Sequence, residues 1–149
     1  MSPSARCKTA VRICAVALVL VGTSGGAMAQ NQAIGFKAGM NYSDGRIVGQ
    51  TLYVAGQAGA EGPDAQSKDI TAQTTAALAA IQRIVTSAGY QMSDVVSVTV
   101  YMTDLRKFPQ MNAVYKKFLP DPKPARATVQ VAGLVGGPKV EISAIAVKH

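Results

Sequence analysis

The sequence predicts a small α+β domain with elements in the order β-β-α-β-α-β-β and both helices on one face of a single mixed sheet. Three observations carry the expectation. Residues 69–88 repeat their apolar side chains with a helical period, residues 94–103 and 139–147 alternate with the period of a strand, and Gly, Pro or Asp residues separate these segments.

Arg46 to Val48 ("RIV") and Thr51 to Gln57 ("TLYVAGQ") read as two strands paired across Gly49-Gln50, a hairpin-like spacing. Ala58 to Ser67 reads as a loop by its Gly, Pro and Asp content. From Asp69 to Ala88 a stripe of Ile70, Thr74, Ala77, Leu78, Ile81, Val85 and Ala88 predicts the first helix, and Gly89 marks its end. Asp94 to Thr103 places Val96, Val98, Val100 and Met102 on one face and Val95, Ser97, Thr99 and Tyr101 on the other. A second helix is predicted over Phe108 to Leu119, with Pro109 in its first turn and Met111, Val114, Tyr115 and Phe118 at i, i+3, i+4 and i+7. "DPKP" (Asp121 to Pro124) breaks it. Two strands follow, Ala125 to Gly133 and Lys139 to Val147, joined across Gly136-Gly137-Pro138. The faces turned away from the helices are expected to carry Ser97, Thr99, Arg126, Thr128, Gln130, Glu141, Ser143 and Ile145. That mixture suits packing against another copy of the chain, with a monomer whose sheet face is partly wetted as the alternative.

Domain organisation starts from the first 29 residues. Arg6, Lys8 and Arg12 precede an apolar run of nine residues, Ile13 to Val21, and "AMA" at Ala27 to Ala29 offers small residues before a cleavage point. The pattern is that of a secretory signal peptide over residues 1–29, and a periplasmic or secreted location is expected. The apolar run is too short for the ~20 residues that span a bilayer, so no membrane association is expected after cleavage. Residues 30–149 then form one domain. Their net charge is +4, against +7 for the whole chain, because the leader takes three of the fifteen basic residues and none of the eight acids. So weak and scattered an excess argues against a nucleic-acid partner.

Composition narrows the chemistry. Both cysteines, Cys7 and Cys14, lie in the leader, and the sole histidine is the last residue, His149. Ser-His-Asp, Cys-His and zinc mechanisms are therefore disfavoured, and no metal ligand set is expected. Any chemistry falls to Arg, carboxylates, Tyr, hydroxyls and backbone groups.

Two residues stand out. Arg126 opens "KPARATVQVAG", a run that otherwise reads as a buried strand, so its guanidinium needs a partner: an intersubunit salt bridge or the carboxylate of a ligand. Glu141 interrupts the apolar strand "VEISAIAV" as either a paired rim residue or a base that orients and deprotonates water. Gly56 allows a bulge or the close approach of another group. Asn112 and Tyr115, three apart on the second helix, either flank a cleft or cover its surface, and small residues at Ala127 and Thr128 leave space beside Arg126.

Several motifs in order resemble those of the RidA (YjgF) family of enamine/imine deaminases over Met40 to Lys148: Tyr42-Ser43, "VAGQ", Gln73 and "SAG", then "DVVSVTVYMTD", "MNAVYKKF", "PAR" at Pro124 to Arg126, and "VEISAIAV". The resemblance implies a chorismate-mutase-like domain forming a homotrimer, with three sites in clefts between subunits. It further implies that Arg126 binds the carboxylate of a 2-imino acid, that Glu141 positions the attacking water, and that a 2-oxo acid and ammonia result. Tyr42 and Asn112 match positions that line the cleft. Thr128 stands where the family usually has cysteine and can offer its hydroxyl to the substrate. Neither a metal nor an organic cofactor is implied; the partners are a small imino or oxo acid and further copies of the chain. A module that binds a small carboxylate without turnover is the alternative. Endoribonuclease activity is disfavoured by the missing histidine and basic stripe.

Overall fold

The computed structural model describes residues 31–60 and 69–148. The expected leader with Gln30, the part of the Ala58–Ser67 loop from residue 61 onward with Lys68, and His149 lie outside the described residues. Six strands and two helices follow in the order β1 (Asn31–Ile34), β2 (Gly45–Val48), β3 (Thr51–Ala58), α1 (Ile70–Ser87), β4 (Val95–Met102), α2 (Phe108–Phe118), β5 (Ala125–Gln130) and β6 (Val140–Val147). Short 3-10 turns at Met92–Asp94 and Leu105–Lys107 lead into β4 and α2. The expected α+β class holds, with one strand added at the front.

α1 begins where Asp69 caps it, its carboxylate accepting from Ala72 N at 2.7 Å, and it ends before Gly89, whose φ of 77° suits a residue without a Cβ. Its buried stripe includes Ile70, Thr74, Ala77, Leu78, Ile81 and Val85 as expected, and also Gln73, which is fully buried. Gln73 reaches the chain before β6: its Oε1 accepts from Lys139 N at 2.7 Å. Such a bond satisfies the buried amide, which would otherwise cost about 1–3 kcal/mol. α1 packs on β3 and β6, and α2 packs on α1.

The sheet order is β1-β2-β3-β6-β4-β5, antiparallel throughout except for the parallel pair β4–β5. β6 is central, and its alternation buries Val140, Ile142, Ala144 and Ala146 under the helices while Glu141, Ser143 and Ile145 face the other way. Leu52, Val54, Val98, Val100 and Met102 complete the helix-side layer. Each such side chain contributes about 1.5–3 kcal/mol by leaving water.

Four expectations require correction. β1 went unpredicted because "NQAI" has no alternation of its own; pairing with β2 from Asn31↔Val48 to Ile34↔Gly45 is what extends it. The even alternation expected for β4 fails at its start, where Val95 is buried and Val96 is exposed, because a bulge shifts the register between Val95 and Ser97. β5 and β6, joined in sequence across Gly136-Gly137-Pro138, are separated in the sheet by β4. β5 is not a buried strand but an exposed sheet edge, and Arg126, Thr128 and Gln130 do not share a face with Glu141. The β4–β5 register settles the last point, pairing Arg126 with Val98, Thr128 with Val100 and Gln130 with Met102, all on the helix side.

A candidate active site in two halves

The first half lies on the helix side of β5. Lys123 donates to the carbonyls of Lys116 and Leu119 at the end of α2, which ties down the chain entering β5. Pro124 then restricts the backbone just ahead of Ala125 and Arg126. Arg126 Nη1 donates to Asn112 Oδ1 at 2.9 Å, and its Cζ lies 4.4 Å from the centre of the Tyr115 ring and 5.4 Å from that of Phe108. All three partners come from α2: residues 108, 112 and 115 fall on one helical face by the 3.6-residue period.

Among the described residues the ion pairs are Arg106–Asp104 and Lys123–Asp121, and Arg126 belongs to neither. Its side chain lines an open cleft of about 520 Å³ together with Asn112, Tyr115, Lys116, Asp121, Lys123 and Pro124. Three cations against one carboxylate, Asp121, which pairs with Lys123 at 3.5 Å, leave the cleft net positive and favour an anionic occupant. Among the described residues, the buried hydroxyls Tyr115 Oη and Thr128 Oγ1 have no hydrogen-bond partner. Burial pushes the Tyr115 hydroxyl pKa above the ordinary tyrosine value, and the nearby Arg126 charge pulls it part of the way back.

The second half lies on the opposite face. Glu141 is flanked by Ala58 of β3 and Tyr101 of β4, and its carboxylate sits directly over Gly56, where a Cβ would collide with it. The register of β3 also shifts between Val54 and Gln57, so Gly56 provides both the bulge and the close approach. Ala55 N donates to Asp44 O at 2.9 Å, which holds the Tyr42 segment beside β3. Tyr42, 58 % exposed, joins Ala55, Gly56, Ala58, Val135, Gly136 and Glu141 around a cleft of about 560 Å³.

One chain thus brings Arg126, Asn112 and Thr128 together on one face and Tyr42 and Glu141 together on the other, and it does not join the two groups. A third cavity, about 430 Å³ between Asp69, Thr71, Asp104, Lys107, Gln110 and Lys139, contains no residue of either group. Phe108 was missed by the sequence reading, although its position seven residues before Tyr115 on one helix was the available signal. No group of three or more His, Cys, Asp or Glu that could hold a metal occurs among the described residues.

Residues 32–148 match the family model described as Endoribonuclease L-PSP. This chain belongs to the YjgF/RidA family. It is 38 % identical over 109 residues to the 2-iminobutanoate/2-iminopropanoate deaminase of Capra hircus, covering 72 % of this chain and 80 % of that one. Among solved structures, RidA from the Antarctic bacterium Psychrobacter sp. is 36 % identical with a TM-score of 0.66, covering 78 % of this chain and 94 % of the other. E. coli TdcF with bound serine is 33 % identical with a TM-score of 0.67 and the same coverage. Likeness to the YjgF/RidA deaminases supports a deaminase-type role.

The expectation of a signal peptide and a periplasmic protein is not upheld. The YjgF/RidA match begins at Gln32, past the expected leader, and the curated relatives that carry it include archaeal and mammalian proteins, so the likeness gives export no positive support.

Proposed function

We propose that the chain hydrolyses 2-imino acids, and their enamine tautomers, to 2-oxo acids and ammonia in a homotrimer whose sites lie between subunits. The observation that carries this reading is Arg126: a guanidinium held by Asn112 and two aromatic rings, on a cationic cleft, with no carboxylate of the described chain against it. A planar fork so placed fits a carboxylate bidentately. The serine in TdcF is a small α-carboxylate, the same class of ligand. The oligomer is supported by the sheet face turned from the helices, where Tyr53 and Val129 are 49 % and 42 % exposed beside the half-buried Ile145 and Tyr101. A face of that kind is suited to burial against a second copy.

In this reading Arg126 of one copy holds the substrate carboxylate, with Thr128 and Asn112 beside it, while Glu141 and Tyr42 of a neighbouring copy close the cleft. Glu141 takes a proton from water as the water oxygen bonds to C2 of the imine and the C=N π pair moves onto nitrogen. That proton passes to the nitrogen to give the carbinolamine; Glu141 then takes the carbinolamine hydroxyl proton and delivers it to the amino group as the C–N bond breaks, so that ammonia leaves and the C=O of the 2-oxo acid forms. A positioned base contributes about 10² to 10⁴ in rate.

The test follows decay of an imine, generated by an amino-acid oxidase, through trapping with semicarbazide. The wild type should speed decay and Arg126→Ala should not; equal decay with both would end the proposal. A second reading, carboxylate binding without turnover, is favoured by the placement of Glu141 on the face opposite Arg126. Calorimetry showing 2-oxobutanoate binding that Arg126→Ala abolishes, with imine decay at background, would establish it instead.

A further inference from the structure

Arginine on an edge strand normally samples many rotamers, and fixing them when a ligand arrives weakens binding. Arg126 is already fixed. The Tyr115 ring is 3 % exposed and lies against the guanidinium, nearer than Phe108, while Asn112 Oδ1 engages one nitrogen. A guanidinium carbon seated over one ring, with one nitrogen on Asn112, is held in place while its remaining N–H groups stay available to a ligand, and bidentate carboxylate recognition uses two of them. We infer that Tyr115 is a positioning residue for carboxylate recognition: its ring, rather than its hydroxyl, holds Arg126 at the cleft. The inference rests on the reading of Arg126 as the carboxylate clamp.

The hydroxyl is set aside on structural grounds, since Tyr115 Oη is buried with no hydrogen-bond partner and so fixes nothing. Phenylalanine should therefore replace tyrosine, whereas leucine, which fills only part of the ring's space and has no π face, should not. A residue acting only through packing would not discriminate between ligands by charge. Tyr115 acting on Arg126 should affect 2-oxobutanoate and leave its uncharged counterpart, 2-oxobutanamide, alone.

The experiment measures 2-oxobutanoate and 2-oxobutanamide binding by calorimetry, and KM and kcat for imine hydrolysis, with the full chain. Loss of a cation–π contact predicts that Tyr115→Leu weakens 2-oxobutanoate binding and raises KM about 3- to 10-fold, with kcat and 2-oxobutanamide binding unchanged. Tyr115→Phe should match the wild type, and Tyr115→Leu should add nothing in the Arg126→Ala background. Tyr115→Met carries the same expectation as Tyr115→Leu should that variant not fold. Wild-type binding by both ring-less variants, an equal loss in Tyr115→Phe, or full additivity with Arg126→Ala would overturn the inference. If Arg126→Ala weakens binding and Tyr115→Leu does not, the inference alone falls; if Arg126→Ala binds as wild type, the clamp reading falls and takes the inference with it.

Discussion

Arg126 and Glu141 lie on opposite faces of one sheet, Arg126 in register with the helix-side Val98 and Glu141 in register with the outward Tyr101. Both are reached from β4, yet within one chain their side chains line separate clefts on opposite faces. A reaction that uses both therefore needs two copies, each contributing one half of the site.

Gly56 sets the position of the Glu141 carboxylate, because a Cβ there would occupy the space the carboxylate fills. Gly56→Ala should push the carboxylate out of place and lower kcat about 10- to 100-fold, the scale of an ångström-level misplacement. KM should change little, since the proposed clamp on the substrate carboxylate is Arg126 of the other copy, which Gly56→Ala leaves in place. Steady-state kinetics checks this alongside a melting curve, and a kcat equal to wild type in a folded variant would show that the contact is irrelevant to turnover.

Gln73 is a polar side chain sealed inside α1's buried face. Gln73→Leu removes the acceptor for Lys139 N and should destabilise the fold by about 1–3 kcal/mol. The urea midpoint should fall while the slope of the transition stays constant.

Tyr115 and Tyr90 both have pKa values raised by burial above the ordinary value of 10.0. A raised folded-state value means that their stabilising contribution is complete below the unfolded value and is lost as pH rises through the folded one. Stability should therefore decline from about pH 10 upward, by at most ~1.4 kcal/mol per pH unit for each group. Urea unfolding between pH 8 and 11 should show a shallower decline in Tyr115→Phe than in the wild type, with the Tyr90 part remaining.

Much of this fold was legible because two signals are local. The α1 stripe from Ile70 to Val85 and the β6 alternation from Val140 to Ala146 each name their own buried face. β5 carries a signal that misleads: polar Arg126, Thr128 and Gln130 alternate with apolar Ala125, Ala127 and Val129, yet it is the polar set that lies on the helix side. Its orientation is set by pairing with β4, residues 97–102 against 125–130, which no window of sequence contains. The choice of Arg126 and Glu141 as candidates came from their chemistry, whereas their placement on a common face came from an alternation whose direction the β4–β5 register reverses. The stacking of Arg126 on Tyr115 and Phe108 was hidden for the same reason, since it requires knowing that β5 presents Arg126 to α2.

The central claim is that one copy's Arg126 works with a neighbour's Glu141, and complementation tests it most directly. Arg126→Ala and Glu141→Gln are each expected to be inactive in imine hydrolysis. Co-expressed in equal amounts and assembled at random, they should regain about a quarter of wild-type activity, because a quarter of the seams then pair an intact arginine with an intact glutamate. Activity no greater than the sum of the two parents, in oligomers shown to contain both chains, would contradict the shared site.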